Sequence, residues 1–336
     1  MKLAGNQMNI LIVGAGAVGL VYGYHFTNAG HQVTFLVKEK YQQALEDDKQ
    51  EGIVLYHLNK DKKLQQPLRF NNFSTITQWD EAANFDLIAL SISSTALRQL
   101  PLATIKEKIV SSIKTVSLLM LQPSEDDLKH LTQVIPKEYI LQGMITLISY
   151  QTDNINEGAN PAGTAYYLPP LPMPISASQS PQQKNALKDA VSLFKQSGIK
   201  AKAVNSALDE SRLMSAFLMT FLCALEAANW EFNRLKDSPL LLSQLAEAQR
   251  ALLPLKVGGN SITVRLKKIF LSLILRPWFY KLLIILSPRL IPLPLEAYLK
   301  KHFLKVRSQT VLYMQDYHEQ YPSKAVASLV NLLLIS

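Results

Sequence analysis

Between the apolar run MNILIV at 8 to 13 and a segment of helical periodicity stands the string Gly14-Ala15-Gly16-Ala17-Val18-Gly19. Five of the chain's 13 glycines fall between 14 and 30, and three of them belong to this string. A glycine directly after a strand allows a tight turn. A second, two residues on, lets a pyrophosphate approach the backbone, and a third lets the following helix pack closely on the strand. The helix N-terminus adds unpaired N–H groups and the positive end of its dipole. Residues 17–29 read as that helix, closed by Gly30, and HQVTFLV at 31 to 37 reads as a second strand. The expectation is a dinucleotide site built from Gly14, Ala15, Gly16, Ala17, Val18 and Gly19. The alternative is a set of glycines that serves packing alone.

The end of the second strand selects the coenzyme, because an acid there binds a ribose 2′-hydroxyl and a base suits a 2′-phosphate. Here the order is Val37, Lys38, Glu39, Lys40, which favours NADP(H) over NAD(H) and argues against FAD. The competing reading makes both lysines solvated loop charges.

Short apolar runs and helical patterns alternate over the first 150 residues, as βαβ units around a mostly parallel sheet require. FDLIALSI at 85 to 92 and TVSLLML at 115 to 121 read as buried strands, with a helix from 95 to 109. Short strands follow from 139. The Pro-rich passage at 166 to 181 reads as an edge strand or connector. A helix at 182 to 197 ends at Gly198, an extended stretch covers 199 to 204, and helical periodicity dominates thereafter. The fold class is therefore α/β: an N-terminal doubly wound Rossmann-type domain over 1–206 and an all-helical domain over 207–336. With 336 residues, 48% apolar and 18% charged, a disordered chain is excluded. The single cysteine, Cys223, rules out an intramolecular disulfide and points to a reducing compartment, the cytoplasm. The glycines at 14, 16 and 19 also break the apolar run that a signal peptide needs. The six histidines show no metal-ligand spacing.

In NILIVGAGAVGLVYGYHFTNAGHQVTFLVK at 9 to 38, SLLMLQPSEDDL at 117 to 128, DESRLMSAFLMTF at 209 to 221 and YMQDYHEQYPSKA at 313 to 325, the chain resembles the ketopantoate reductase (2-dehydropantoate 2-reductase) family. That resemblance implies a two-domain NADPH-dependent reductase of a 2-keto acid, with a place in pantothenate biosynthesis. Lys38 matches the family's basic residue for the 2′-phosphate, and Gln122 is of the family's type. Ser91, Ser93 and Gln122 follow the neighbouring strands and are expected on the coenzyme side. Several positions depart from the pattern. Ser93 replaces a lysine, and Pro123 and Ser124 replace an Asn-Gly pair. The general-acid lysine and two asparagines fall at Ser215, Met219 and Cys223, and the substrate carboxylate falls at Lys324.

Reducing a 2-keto acid needs a proton donor at the developing alkoxide and a cation for the carboxylate. Arg212, Ser215, Cys223 and Glu226 share one broad face of the helix that starts near Asp209. Ser215 has neither the charge nor the acidity of the lysine it replaces and is expected to line the catalytic cleft with the others. Arg212 is the candidate for holding an anionic substrate, and Glu226 for the acid, if burial raises its pKa. The plainer reading pairs Glu226 with a nearby base and makes Cys223 a small core residue. Two functions follow: a carbonyl reductase, or a non-catalytic NADP(H)-binding protein with the same fold, associated with a membrane surface.

The formal charge of +9 is uneven, since residues 250 to 310 hold 12 basic residues and one acid, Glu296. The rest of the chain is nearly neutral, which argues against a nucleic-acid-binding fold. The segment 256–307 mixes leucines, aromatics and cations. Three roles are open for it: extra helices of the second domain, a homodimer interface, or contact with an anionic membrane surface. Arg276, Lys281, Arg289 and four prolines interrupt 269 to 295, so no transmembrane helix is expected.

Overall fold

A computed structural model describes residues 7–58, 66–113, 115–152, 162–178, 180–253, 262–291 and 294–335. The chain divides at Leu208/Asp209 into two compact units. In the first, β1 (Asn9–Val13), α1 (Ala17–Asn28) and β2 (Gln32–Leu36) follow one another as the glycine string demands. α2 (Glu39–Glu51) leads to β3 (Ile53–His57), β4 (Leu68–Phe70) and β5 (Ser74–Ile76). Then come β6 (Leu87–Leu90), α3 (Ser94–Leu97), α4 (Leu102–Val110), β7 (Ser117–Met120), α5 (Glu125–Thr132) and β8 (Ile140–Gly143). β9 (Ile148–Thr152), β10 (Gly163–Tyr167), β11 (Met173–Ser176), α6 (Pro181–Gln196) and β12 (Ala201–Ala203) close the unit.

The large sheet runs β12-β11-β8-β7-β6-β1-β2-β5. β1 pairs in parallel with both β2 and β6, so the chain reverses its direction of travel across the sheet beside Gly14. Ligands of open α/β sheets bind at such a switch point, outside the strands' carboxyl ends. Both faces are covered, which is why the strands are apolar throughout rather than alternating. Ile10 and Ile12 pack with Val21 and Phe26 of α1 and Phe194 of α6, while Leu11 and Val13 pack with Leu97, Ile105 and Ile109 of α3 and α4.

Two sequence expectations are corrected. The helix read over 95–109 is two helices, α3 and α4, because Pro101 has no N–H to continue α3. The Pro-rich passage is not an edge: β11 lies between β8 and β12. It tolerates Pro174 because its pairing with β8 begins only at Ile175, so the absent N–H is not missed by that ladder. A second sheet, β4-β3-β10-β9, joins β3 to the distant β10 and was not read from the sequence.

The second unit is helical: α7 (Ala207–Ala227), α8 (Phe232–Lys236), α9 (Pro239–Leu252), α10 (Ile262–Ile274), α11 (Pro277–Leu290), α12 (Leu295–Lys305), α13 (Arg307–Gln320) and α14 (Lys324–Ile335). The first two residues of α7 belong to the first unit, where Ala207 N–H donates to Ser176 Oγ at 2.9 Å and Leu208 packs on the core. The helical core gathers Leu222, Leu225, Leu245, Leu252, Met314 and Leu329. Among the described residues, no single helix is long and apolar enough to cross a membrane.

Candidate active site

The glycine turn is held from three directions. Gly14 sits at φ +95°, a region that favours glycine, and its N–H donates to Leu36 O of β2 at 2.9 Å. A Cβ on Gly14 would come within 2.9 Å of Ile92 Cγ2. On Gly19 it would lie 2.2 Å from Gly14 O and 2.7 Å from Ser91 Oγ, an overlap no side chain can accept. Gly16 is the opposite case. It is exposed, its backbone is extended at φ −75°, and an added Cβ meets nothing within 4 Å.

That open space lies at the start of α1. Gly16 is the N-cap, no side chain caps the helix, and its first turn holds no acid. The first internal hydrogen bond runs from Leu20 N–H to Gly16 O at 2.9 Å, which leaves the amides of Ala17, Val18 and Gly19 without helical acceptors. Uncapped amides and the positive dipole end make a seat for an anion, and the bare Gly16 gives it room. A dinucleotide's pyrophosphate fits these residues.

Ser91, Ser93 and Gln122 line up along the carboxyl edge of the sheet, but each is engaged with the protein itself. Ser91 Oγ reaches Val13 O at 3.0 Å and Gly14 O at 2.9 Å, locking the glycine turn to the end of β6. Ser93 Oγ caps α3 by accepting from Ala96 N–H at 3.2 Å, and it lies 2.9 Å from Thr95 Oγ1. Gln122 is buried, donates to Leu90 O and Ile92 O at 3.1 and 2.6 Å, and accepts from Leu121 N–H at 3.1 Å. These side chains build a stiff rim around the turn. Ser124 caps α5, whose fully buried Asp127 meets Arg98 at 3.3 Å and Ser94 Oγ at 2.5 Å. This knot joins α3 to α5 and carried no recognisable sequence signal.

Lys38 is exposed directly after β2, at the N-cap of α2, and makes no ion pair among the described residues. Its neighbour Lys40 has Nζ 4.8 Å from the centre of the Tyr41 ring. Lys38 and Lys40 are thus both exposed cations just beyond the end of β2.

In the helical unit, the four α7 candidates separate into two groups. Ser215 is buried and accepts from Tyr317 Oη of α13 at 2.8 Å, and Arg212 donates from Nη2 to Gln320 Oε1. Burial pushes the Tyr317 hydroxyl up to about 12, against the opposing pull of its Ser215 hydrogen bond and of Arg212. Glu226 lies elsewhere, accepting from Arg307 Nε at 2.7 Å, with Cys223 beside it in the core. Burial pushes the Cys223 thiol up to about 12, which makes it a packing group. Eleven residues of helix separate Ser215 from Glu226, roughly 16 Å at 1.5 Å per residue. One helix face therefore does not become one site: Glu226 is the salt-bridged carboxylate of the plainer reading. Tyr317, which sequence reasoning missed, joins Ser215 from a position 102 residues away.

Residues 10–160 match the family model described as ketopantoate reductase PanE/ApbA. No curated protein matches the sequence. Among solved structures, the chain is similar to a D-mandelate dehydrogenase in ternary complex with NADH and anilino(oxo)acetate, at TM-score 0.65 and 15% identity over 98% of each chain. It is also similar to 2-dehydropantoate 2-reductase from Geobacter metallireducens, at TM-score 0.59 and 16% identity over 98% of this chain and 99% of that one. Yersinopine dehydrogenase with NADP+ bound gives TM-score 0.58 and 12% identity over 98% and 90%. At these identities the structural likeness establishes the fold. The resemblance read from the sequence is thus borne out: residues 10–160 match a family of NAD(P)-dependent oxidoreductases, the ketopantoate reductases, within a chain that shares their fold.

Proposed function

We propose that this protein is an NADP(H)-dependent reductase of a small anionic carbonyl compound, of the 2-keto acid class. One observation carries the reading: the uncapped start of α1, with Gly16 open and Gly14 and Gly19 closed to any side chain. The amides of Ala17, Val18 and Gly19 hold the pyrophosphate, and Lys38 meets the 2′-phosphate. Ser91 and Gln122 act through the backbone, keeping the turn and the rim in place. Bound there, NADPH supplies a hydride.

The helical unit contributes a cation and two linked hydroxyls, the groups an anionic carbonyl requires. Arg212 pairs with the substrate carboxylate, exchanging its Gln320 contact for a charged one. Ser215 accepts from Tyr317, so its own proton is free to pass from Oγ to the alkoxide, and the Tyr317 Oη proton then refills Oγ. Tyr317 is protonated at neutral pH, and the phenolate left by the transfer, which burial disfavours, regains a proton from solvent before the next turnover. The replaced positions at Met219, Cys223 and Lys324 favour a substrate other than ketopantoate, and the single cysteine and the NADPH chemistry suit the cytoplasm.

The test is NADPH oxidation against a panel of 2-keto acids and aldehydes, ketopantoate included. We expect turnover with at least one 2-keto acid, and Ser215→Ala is expected to lower kcat by a factor on the order of 100 or more. Coenzyme binding without oxidation of any panel member would instead identify a non-catalytic NADP(H)-binding protein. Turnover unchanged in Ser215→Ala would remove the proton route.

A further inference from the structure

α10 and α11 turn apolar side chains away from the helical core. On α10, Leu266, Ile269, Phe270 and Leu273 recur at i, i+3, i+4 and i+7, each 57–63% exposed. On α11 Trp278, Leu282, Ile285 and Leu286 stand at i, i+4, i+7 and i+8 on one face and are 37–56% exposed. These are two helical stripes of the kind that normally face a core, here facing outward. The reverse face of α11 is fixed in place. Tyr280 and Ile284 are buried, and Tyr280 Oη donates to Gln249 Oε1 of α9 at 2.7 Å. The end of α10 is tied by Arg250 Nη1, which donates to Leu275 O at 2.6 Å. The stripes are therefore presented by a held scaffold. A large aromatic side chain carries on the order of 200 Å². Eight large side chains about half exposed then present several hundred Å², the scale at which an apolar surface marks an interaction site.

Charge identifies the occupant. No acid occurs from 251 to 295, while Arg276, Lys281 and Arg289 stand exposed on and beside α11. A second copy of the chain would set this cationic surface against itself. A nucleic acid would meet the cations and leave the leucines uncovered. An anionic bilayer matches both, offering phosphate headgroups to the cations and an acyl layer to the stripes. No single described helix is long and apolar enough to cross a membrane, and α11 passes that test only together with α12 across a 101° bend. The exposed cations on and beside α11 favour a contact that lies on the surface. We propose that α10 and α11 form a docking face for an anionic lipid bilayer. Their apolar stripes enter about 5–10 Å into the boundary below the headgroups. Arg276, Lys281 and Arg289 extend their apolar stems along that boundary and leave their charged ends in the headgroup layer.

The full chain is mixed with vesicles of phosphatidylcholine alone and of an equimolar mixture with phosphatidylglycerol, then floated on a density gradient. We expect flotation with the mixed vesicles, little with phosphatidylcholine, and release as salt rises. Lys281→Gln with Arg289→Gln should weaken partitioning roughly thirtyfold, following the usual contribution of two basic residues at an anionic surface. Phe270→Gln, Leu282→Gln and Ile285→Gln together should abolish it with the thermal midpoint unchanged, because all three side chains are exposed. If that triple variant fails to fold, the lysine–arginine pair decides alone. Absence of flotation with mixed vesicles, or flotation that survives both sets of substitutions, overturns the proposal. So does sedimentation velocity showing a dimer that the triple variant converts to monomer, which would assign the face to a second copy.

Discussion

At position 19 a single methyl group has nowhere to go, and at position 16 it has nothing to touch. Gly19→Ala would drive its Cβ onto Gly14 O and Ser91 Oγ, so the turn or α1 must shift. We expect a loss of about 1–3 kcal/mol, the usual range for overpacking, read as a lower urea midpoint. Gly16→Ala should stay within roughly 0.5 kcal/mol of the parent, since its backbone is ordinary and its surroundings are open. Lys38→Glu should weaken NADPH binding relative to NADH. Equal affinity ratios in the variant and the parent would return Lys38 to the role of a solvated loop charge. Glu226→Gln removes the charge opposite Arg307 in a pair whose carboxylate is nearly buried and whose guanidinium side chain is about a third exposed. It is expected to cost about 1.5–3 kcal/mol and leave coenzyme affinity unchanged. If activity fell with stability intact, the assignment of Glu226 to structure would be wrong.

Among the elements, α1 is coupled to its surroundings through a histidine. His25 Nδ1 lies 3.0 Å from Ser197 O at the end of α6, and Nε2 lies 3.1 Å from Tyr166 Oη on β10. Burial lowers the His25 pKa below its ordinary value, the Ser197 contact works against this, and the nearby His57 adds to the lowering. His31 and His57 are lowered by burial as well. The unfolded chain therefore takes up protons before the folded one does. Stability should be full above about pH 6.5, the ordinary histidine range, and should fall as pH drops through the folded values. Urea midpoints measured from pH 8 to pH 5 check the sign, and His25→Gln should flatten the curve. A midpoint that rises on acidification would contradict it.

The same elements show what a sequence discloses. β1, α1 and β2 were legible because an apolar strand, a glycine string and a closing Gly30 act over neighbouring residues, with Gly30 at φ +97° as its position requires. The small sheet was not, because β3 pairs with a β10 about a hundred residues away and neither strand is distinctive alone. Ser215 was legible as a departure from the family pattern. Its partner Tyr317 was hidden, since nothing local marks a tyrosine on one helix as facing a serine on another. Ser91, Ser93 and Gln122 were expected to contact the coenzyme; the structure sets them along the carboxyl edge of the sheet, bonded to the protein itself through loop geometry that sequence spacing does not specify.

At the scale of the whole molecule, each compact unit holds its own candidate groups: the uncapped amides of α1 in one, and Arg212 with the Ser215–Tyr317 hydroxyl pair in the other. A coenzyme that binds the folded chain alone stabilises it by mass action, by about 2.7 kcal/mol at a hundredfold excess over its dissociation constant. NADPH should therefore raise the thermal midpoint of the parent. Whether the start of α1 seats the coenzyme is decided by calorimetric titration of the pure protein and of Gly16→Val with NADPH. We expect saturable heat for the parent and at least a tenfold loss of affinity in a variant that remains folded. Absence of heat from the parent with both NADPH and NADH, or undiminished affinity in Gly16→Val, would contradict it.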